Sequence, residues 1–181
     1  IFCDAVSCFI ILFHQQSFTA NETTQSMMSF EKQTGEVGVT VKGYHIDNGV
    51  YTAKQILHKL QTDKQTLRAY GVGAHHQNGV SKNSIKNISK KIRIYMFHVW
   101  LRWLDVQNKT LWSLAMEYAV YIHNHIPKMH NGRSLIEYWI RCVAIHSQLI
   151  NLHSWDIPVY VLNTKLQNGF KIPRFDPRCI Q

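Results

Sequence analysis

Five consecutive apolar residues, Phe9-Ile-Ile-Leu-Phe13, lie near the start of the chain between polar stretches. A run this short has no helical spacing and reads as a strand covered on both faces, which needs a layer on each side. Helices to build those layers follow. Thr19-Ala-Asn-Glu22 has the T-x-x-E pattern of a capping box and predicts a helix from about residue 20 to the glycines at 35 and 38. Val39 to Ile46, rich in β-branched and aromatic residues, reads as a second strand that stops at the turn signal Asp47-Asn48-Gly49. Residues 52–62 read as a short helix and 66–70 as a short strand. Alternation of strand and helix specifies an α/β architecture, with helices packed on a central sheet.

Beyond Ser81 the period changes. Ile85, Ile88, Ile92, Tyr95 and Val99 recur at three- and four-residue steps, the mark of one long amphipathic helix ending near 100–104. Leu111, Leu114, Ala115, Tyr118 and Ile122 predict another, closed by Pro127. A third helix is expected around 134–141, and residues 158–162 read as a late strand.

An apolar fraction of 45% in 181 residues is enough to bury roughly two thirds of the unfolded surface, which excludes whole-chain disorder and fits one domain, or one with a short extension. The 20 Lys+Arg against 11 Asp+Glu leave a charge of +9. That surplus calls for a negatively charged partner, nucleic acid first and an anionic membrane surface second. No apolar run approaches the ~18 residues of a membrane span. Cys3, Cys8, Cys142 and Cys179 have neither zinc spacing nor the density of a disulfide framework, so a reducing compartment is expected. The first thirteen residues have no basic leader region and are interrupted by Asp4, so they read as strands and not as a signal peptide. The aromatics of the later helices, Trp100, Trp103, Trp112, Tyr118, Tyr121, Tyr138 and Trp139, are expected in the core, with an exposed dimer interface as the other reading.

Three constellations could carry chemistry. Asp4 and Asp47 each follow a predicted strand, at the sheet edge where ligands gather. Two carboxylates there can hold Mg²⁺ or Mn²⁺; equally, they can be loop acids that cap turns. Between Asp63 and Asp105 there is no acid at all, while Lys82, Lys86 and Lys90 recur every four residues, beside Lys91 and Arg93. Such a row is either a solvated face or a phosphate-tracking surface. Ahead of it lies a polar, glycine-rich loop, Gly71 to Gly79, containing His75, His76, Gln77 and Asn78.

Tyr44-His-Ile-Asp-Asn-Gly49, followed by Ala74-His-His-Gln-Asn-Gly-Val80 opening a basic helix, resembles the integrase catalytic core of copia-type retrotransposons. The resemblance extends over nearly the whole chain, through Tyr118-Ala-Val-Tyr-Ile-His-Asn-His-Ile-Pro127 to Trp155-Asp-Ile-Pro-Val-Tyr-Val-Leu162 and Lys171-Ile-Pro-Arg-Phe-Asp-Pro-Arg178. It implies an RNase H-like three-layer fold, a five-stranded mixed sheet with helices on both faces, plus a C-terminal helical and strand extension. The divisions it implies are a core over 1–104, post-core helices over 105–145 and an extension over 146–181. It also implies an N-terminally clipped fragment of a polyprotein, inside the cell, in the nucleus or a cytoplasmic virus-like particle.

In that family two Asp and one Glu bind two divalent metals, Mg²⁺ or Mn²⁺, for DNA strand transfer. The resemblance carries the first Asp to Asp4 and the second to Asp47. At the position of the Glu this chain has Lys82. An ammonium has no lone pair to offer a metal, and about 4 Å from a carboxylate it would itself act as the counter-charge, at roughly 4 kcal/mol for an effective dielectric near 20. The resemblance therefore implies a catalytically impaired or dead integrase core with DNA as partner, a possible homodimer, no membrane and no small-molecule substrate. The alternative is a non-enzymatic nucleic-acid-binding module that uses the basic helix over 82–93, with His75, His76, Gln77, Asn78, Lys86, Lys90, Lys91 and Arg93 on the nucleic acid.

Overall fold

A computed structural model describes residues 1–46, 50–69, 79–103, 110–127, 132–143, 147–155, 157–158, 161–171 and 179–180. The chain opens with a hairpin, β1 (Phe2–Cys3) and β2 (Ile10–Ile11), paired antiparallel with Phe2 opposite Ile11 and Cys3 opposite Ile10. Helix α1 (Ala20–Glu36) begins at Thr19, whose hydroxyl accepts from Glu22 N–H. The other half of the expected capping box is replaced: the Glu22 carboxylate turns to the Ser17 N–H and hydroxyl, at 3.0 and 2.7 Å, and these bonds hold its pKa below the usual value.

Next come β3 (Gly43–Ile46), a 3₁₀ turn over Val50–Thr52, α2 (Lys54–Thr62) and β4 (Thr66–Ala69). β3 and β4 pair in parallel, and α2 provides the crossover that parallel strands require. Gly43 faces Thr66 so closely that a Cβ would meet the Thr66 carbonyl oxygen at 2.5 Å, which explains a residue without one.

The long helix α3 (Gly79–Arg102) runs beside α4 (Leu111–His125). α5 (Leu135–Ile140) starts with a capping box in which Glu137 accepts from the Ser134 N–H and hydroxyl at 2.7 and 2.9 Å. The chain ends with α6 (Ser147–Ile150), β5 (Val161–Leu162), α7 (Thr164–Gln167) and β6 (Cys179–Ile180), β5 and β6 being antiparallel. No helix among the described residues is long and apolar enough to cross a membrane.

The first hairpin is sandwiched, as the five-residue apolar run implied. On one side Ile10 joins Ile88, Ile92 and Met96 of α3 and Ala115, Ala119 and Val120 of α4. On the other Phe2, Phe9, Ile11 and Phe13 pack on Met27 and Phe30 of α1, Tyr44 and Trp139. Phe2 stacks on Phe30 at 4.7 Å and Phe9 on Trp139 at 5.2 Å between ring centroids. This is α/β layering with helices on both faces.

Four expectations need correction. In place of a five-stranded sheet, the described residues form three separate two-stranded ladders. The apolar run keeps strand geometry only at Ile10–Ile11, and the 39–46 segment only at Gly43–Ile46, because buried apolar side chains do not by themselves place a ladder of hydrogen bonds. Ile85, expected on the inner face of α3, is 45% exposed, and Leu114 on α4 is 51% exposed; Ser84, Met96, Ala119 and Val120 are buried instead. The aromatics divide: Trp139 is core, whereas Trp100, Trp112 and Tyr138 are exposed.

Candidate nucleic-acid interface

Asp4 follows β1 directly, and its carboxylate organises the turn to β2. Oδ2 accepts from the N–H groups of Val6 (3.2 Å) and Ser7 (2.6 Å) and from the Ser7 hydroxyl (2.7 Å). The Asp4 carbonyl accepts from Cys8 N–H, and Phe9 N–H donates to the Ser7 hydroxyl. Cys8 takes the left-handed conformation, φ 58°, that closes the turn. Of the two readings left open for this acid, capping a turn is the one its hydrogen bonds describe.

The next contact joins the end of β1 to α3. Cys3 Sγ lies 3.5 Å from the buried Ser84 Oγ, and burial pushes the Cys3 thiol up from its usual pKa. Asp4 is one residue beyond this contact and Lys82 two residues before it, so both flank the junction of β1 with the first turns of α3. Asp47 and the loop residues His75, His76, Gln77 and Asn78 lie outside the described residues.

Among the described residues no complete two-metal donor set is formed. One Asp4 oxygen already takes three hydrogen bonds, Lys82 is an ammonium, and the described residues contain no group of three or more His, Cys, Asp or Glu placed to share an ion.

Along α3, Lys82, Lys86, Lys90 and Arg93 are exposed, whereas Lys91 is half-buried and off their row. Buried Ser84, Ile88, Ile92, Met96 and Val99 hold the opposite face. The helix contains no acidic residue, so this outer face is uniformly cationic in its first half.

Two polar arrangements escaped the sequence reading. The buried Asn124 of α4 accepts from Ile10 N–H at 3.1 Å and donates to Ile10 C=O at 2.7 Å. Its signal was a polar residue continuing the apolar row Met116, Val120 at four-residue steps. Glu31 of α1 accepts from Tyr44 OH (2.7 Å), Gln65 (2.9 Å) and Lys59 (2.7 and 2.8 Å), and Lys59 also reaches Asp63 at 2.8 Å. Burial and the Glu31 bond push Tyr44 far above the usual tyrosine pKa. Burial works to lower Lys59, but the Asp63 and Glu31 carboxylates outweigh it and leave its pKa raised.

Hairpin, layered helices and long basic helix together make an α/β fold of the integrase catalytic-core type. Among solved structures, the HTLV-2 integrase catalytic core domain in complex with magnesium, in its dimeric form, is similar with a TM-score of 0.54 at 13% identity, over 76% of this chain and 80% of that one. The simian T-cell lymphotropic virus intasome in complex with the PP2A regulatory subunit B56 gamma gives 0.60 at 15%, over 98% of this chain and 58% of that one. The BIV integrase catalytic core domain gives 0.52 at 16%, over 70% and 74%. At these identities the likeness is one of fold. No family model and no curated protein matches the chain.

Proposed function

We propose that the chain is the integrase catalytic core of a copia-type retrotransposon polyprotein, built for nucleic-acid binding and metal-dependent DNA strand transfer by descent, and inactive because Lys82 stands at the position of the third acid. On this reading 1–104 is the core, 105–145 the post-core helices and 146–181 the extension, and the protein works inside the cell on DNA. The observation that carries it is an integrase-type fold in which the junction of β1 with α3 is flanked by Asp4 and by a cation. Asp4 and Asp47 would be the remaining acids of the centre. With Asp4 capping its own turn and Lys82 opposing cations, metal binding is weak or lost.

The test is a calorimetric titration of MgCl₂ or MnCl₂ into the wild-type chain and Lys82→Glu, followed by strand-transfer assays. A silent wild type and a binding variant are the expected pair. Metal-dependent strand transfer by the wild type would overturn the inactive reading, and silence from both proteins would remove the integrase assignment of the acids.

A second reading has its own observation, the acid-free exposed row Lys86, Lys90 and Arg93 on α3. It makes the chain a nucleic-acid-binding module with no enzymatic role, whose binding falls steeply with salt and ignores EDTA.

A further inference from the structure

The outward face of α3 changes character along its length. At 3.6 residues per turn, Lys86, Lys90, Arg93, Phe97, Trp100 and Leu101 fall within a sector of roughly 100°. The three cations come first, about one turn apart, and the three large apolar residues follow. Phe97 is 56% exposed, Trp100 44% and Leu101 68%, while the opposite face of the helix is committed to the core. Single large apolar residues on a surface need no explanation, but two aromatic side chains in line with an unneutralised cationic row do.

We propose that this stripe binds single-stranded nucleic acid, with Lys86, Lys90 and Arg93 on successive phosphates and Phe97 and Trp100 as stacking platforms for unpaired bases. The inference rests on the nucleic-acid-binding reading above and narrows it to a substrate class. Two requirements of single-strand binding meet here: a positive track for the backbone, and exposed aromatic faces within reach of the same strand. Duplex DNA uses only the first, since its bases are already stacked on one another. A bilayer fits less well. Cations and rings lie in the same sector of one helix, so an interface that took in the rings would draw Lys90 and Arg93 to a similar depth. α3 presents no carboxylate to repel the strand or to compete for its cations.

The experiment is fluorescence anisotropy of the full chain with labelled oligo-dT and with a mixed-sequence duplex of the same length. Wild type should bind oligo-dT more tightly than duplex. Phe97→Ala/Trp100→Ala should lose about fivefold or more in affinity for oligo-dT and none for duplex, the duplex serving as the check that the variant is folded. Lys86→Ala/Lys90→Ala/Arg93→Ala should weaken both. Unchanged oligo-dT affinity in the aromatic variant overturns the proposal. It falls equally if that variant instead converts a dimer to a monomer, or abolishes co-sedimentation with phosphatidylserine vesicles, with oligo-dT binding intact. Failure of the wild type to bind either oligonucleotide at low salt would remove the broader nucleic-acid reading itself.

Discussion

Asn124 on α4 holds Ile10 on β2 with both ends of its amide, accepting from the backbone N–H at 3.1 Å and donating to the carbonyl at 2.7 Å. The side chain acts as a neighbouring strand would, satisfying the two backbone groups of Ile10 on the edge away from β1. All the atoms concerned are buried, so Asn124→Ala leaves a donor and an acceptor without water or partner. We expect a loss of about 2–4 kcal/mol in urea unfolding. Asn124→Asp can accept from the N–H but, while ionised, sets a buried unpaired charge against the Ile10 carbonyl, and should be no more stable than Asn124→Ala. A midpoint equal to wild type in Asn124→Ala would mean that the clasp contributes nothing.

Asp4 and Ser7 make the equivalent arrangement at the tip of the hairpin. Asp4→Asn keeps an acceptor but loses its charge, and charge-assisted bonds are about twice as strong as neutral ones, so a loss of about 1–2 kcal/mol is expected. Because the bonds are made within the turn, the loss should be the same in MgCl₂ and in EDTA. Thermal melts of both proteins in both buffers check this, and a deficit seen only with Mg²⁺ would point to a metal ligand instead.

The Glu31 cluster contributes to the loss of stability at alkaline pH, together with Tyr51, Tyr95 and Tyr118, which burial also raises. Tyr44 and Lys59 both have folded pKa values above their ordinary ones. Above about pH 10 the unfolded chain gives up protons that the folded chain keeps, so the unfolded state binds fewer protons and stability falls as pH rises. Below that range the contribution of both groups is fully present. Urea midpoints should therefore be insensitive to these two groups at neutral pH and decline above about pH 10. Tyr44→Phe should flatten that decline, and an unchanged slope would exclude Tyr44 as a source.

Gly43 stands against Thr66 with no space for a side chain. Gly43→Ala must separate the parallel pair β3 and β4, at about 1–3 kcal/mol, the usual cost of overpacking. Chemical denaturation measures it, and amide exchange should rise first at Tyr44 and Leu67, which pair next along the ladder.

Counterion release makes the cationic row of α3 measurable. Each phosphate contact contributes close to one unit to the slope of log affinity against log salt, so Lys86→Ala/Lys90→Ala/Arg93→Ala should lower the slope by about 2–3. Titration of a duplex at several KCl concentrations reads it directly. A parallel slope in the variant would place the nucleic-acid contact elsewhere.

Much of this molecule could be read from local spacing. α1 begins at Thr19 because a short polar side chain caps the helix from within the same turn, and α3 and α4 fall within a few residues of their expected bounds because apolar residues recur at helical period. The cap of α5 went unread, although Ser134-Leu-Ile-Glu137 repeats the pattern noticed at Thr19. On the proposed integrase reading Lys82 was legible in another way, since the resemblance in sequence sets a cation where that family has an acid. Residues near the edge of an amphipathic stripe were not, and Ile85 and Leu114 show why. A helical repeat names a face but not its angular limits, which depend on where the neighbouring helix lies.

Propensity, capping and periodicity, which act over about four residues, were therefore sufficient to establish alternating strands and helices, a sandwiched first strand and a basic helix without acids. Tertiary packing alone assigned the partners: Asn124 to Ile10, 114 residues away, Lys59 and Gln65 to Glu31, and Cys3 to Ser84 across 81 residues. It also turned the cations and aromatics of α3 to an outward face. Contacts at such separations depend on how whole layers settle against one another, and no local pattern of residue types encodes which polar atoms then meet.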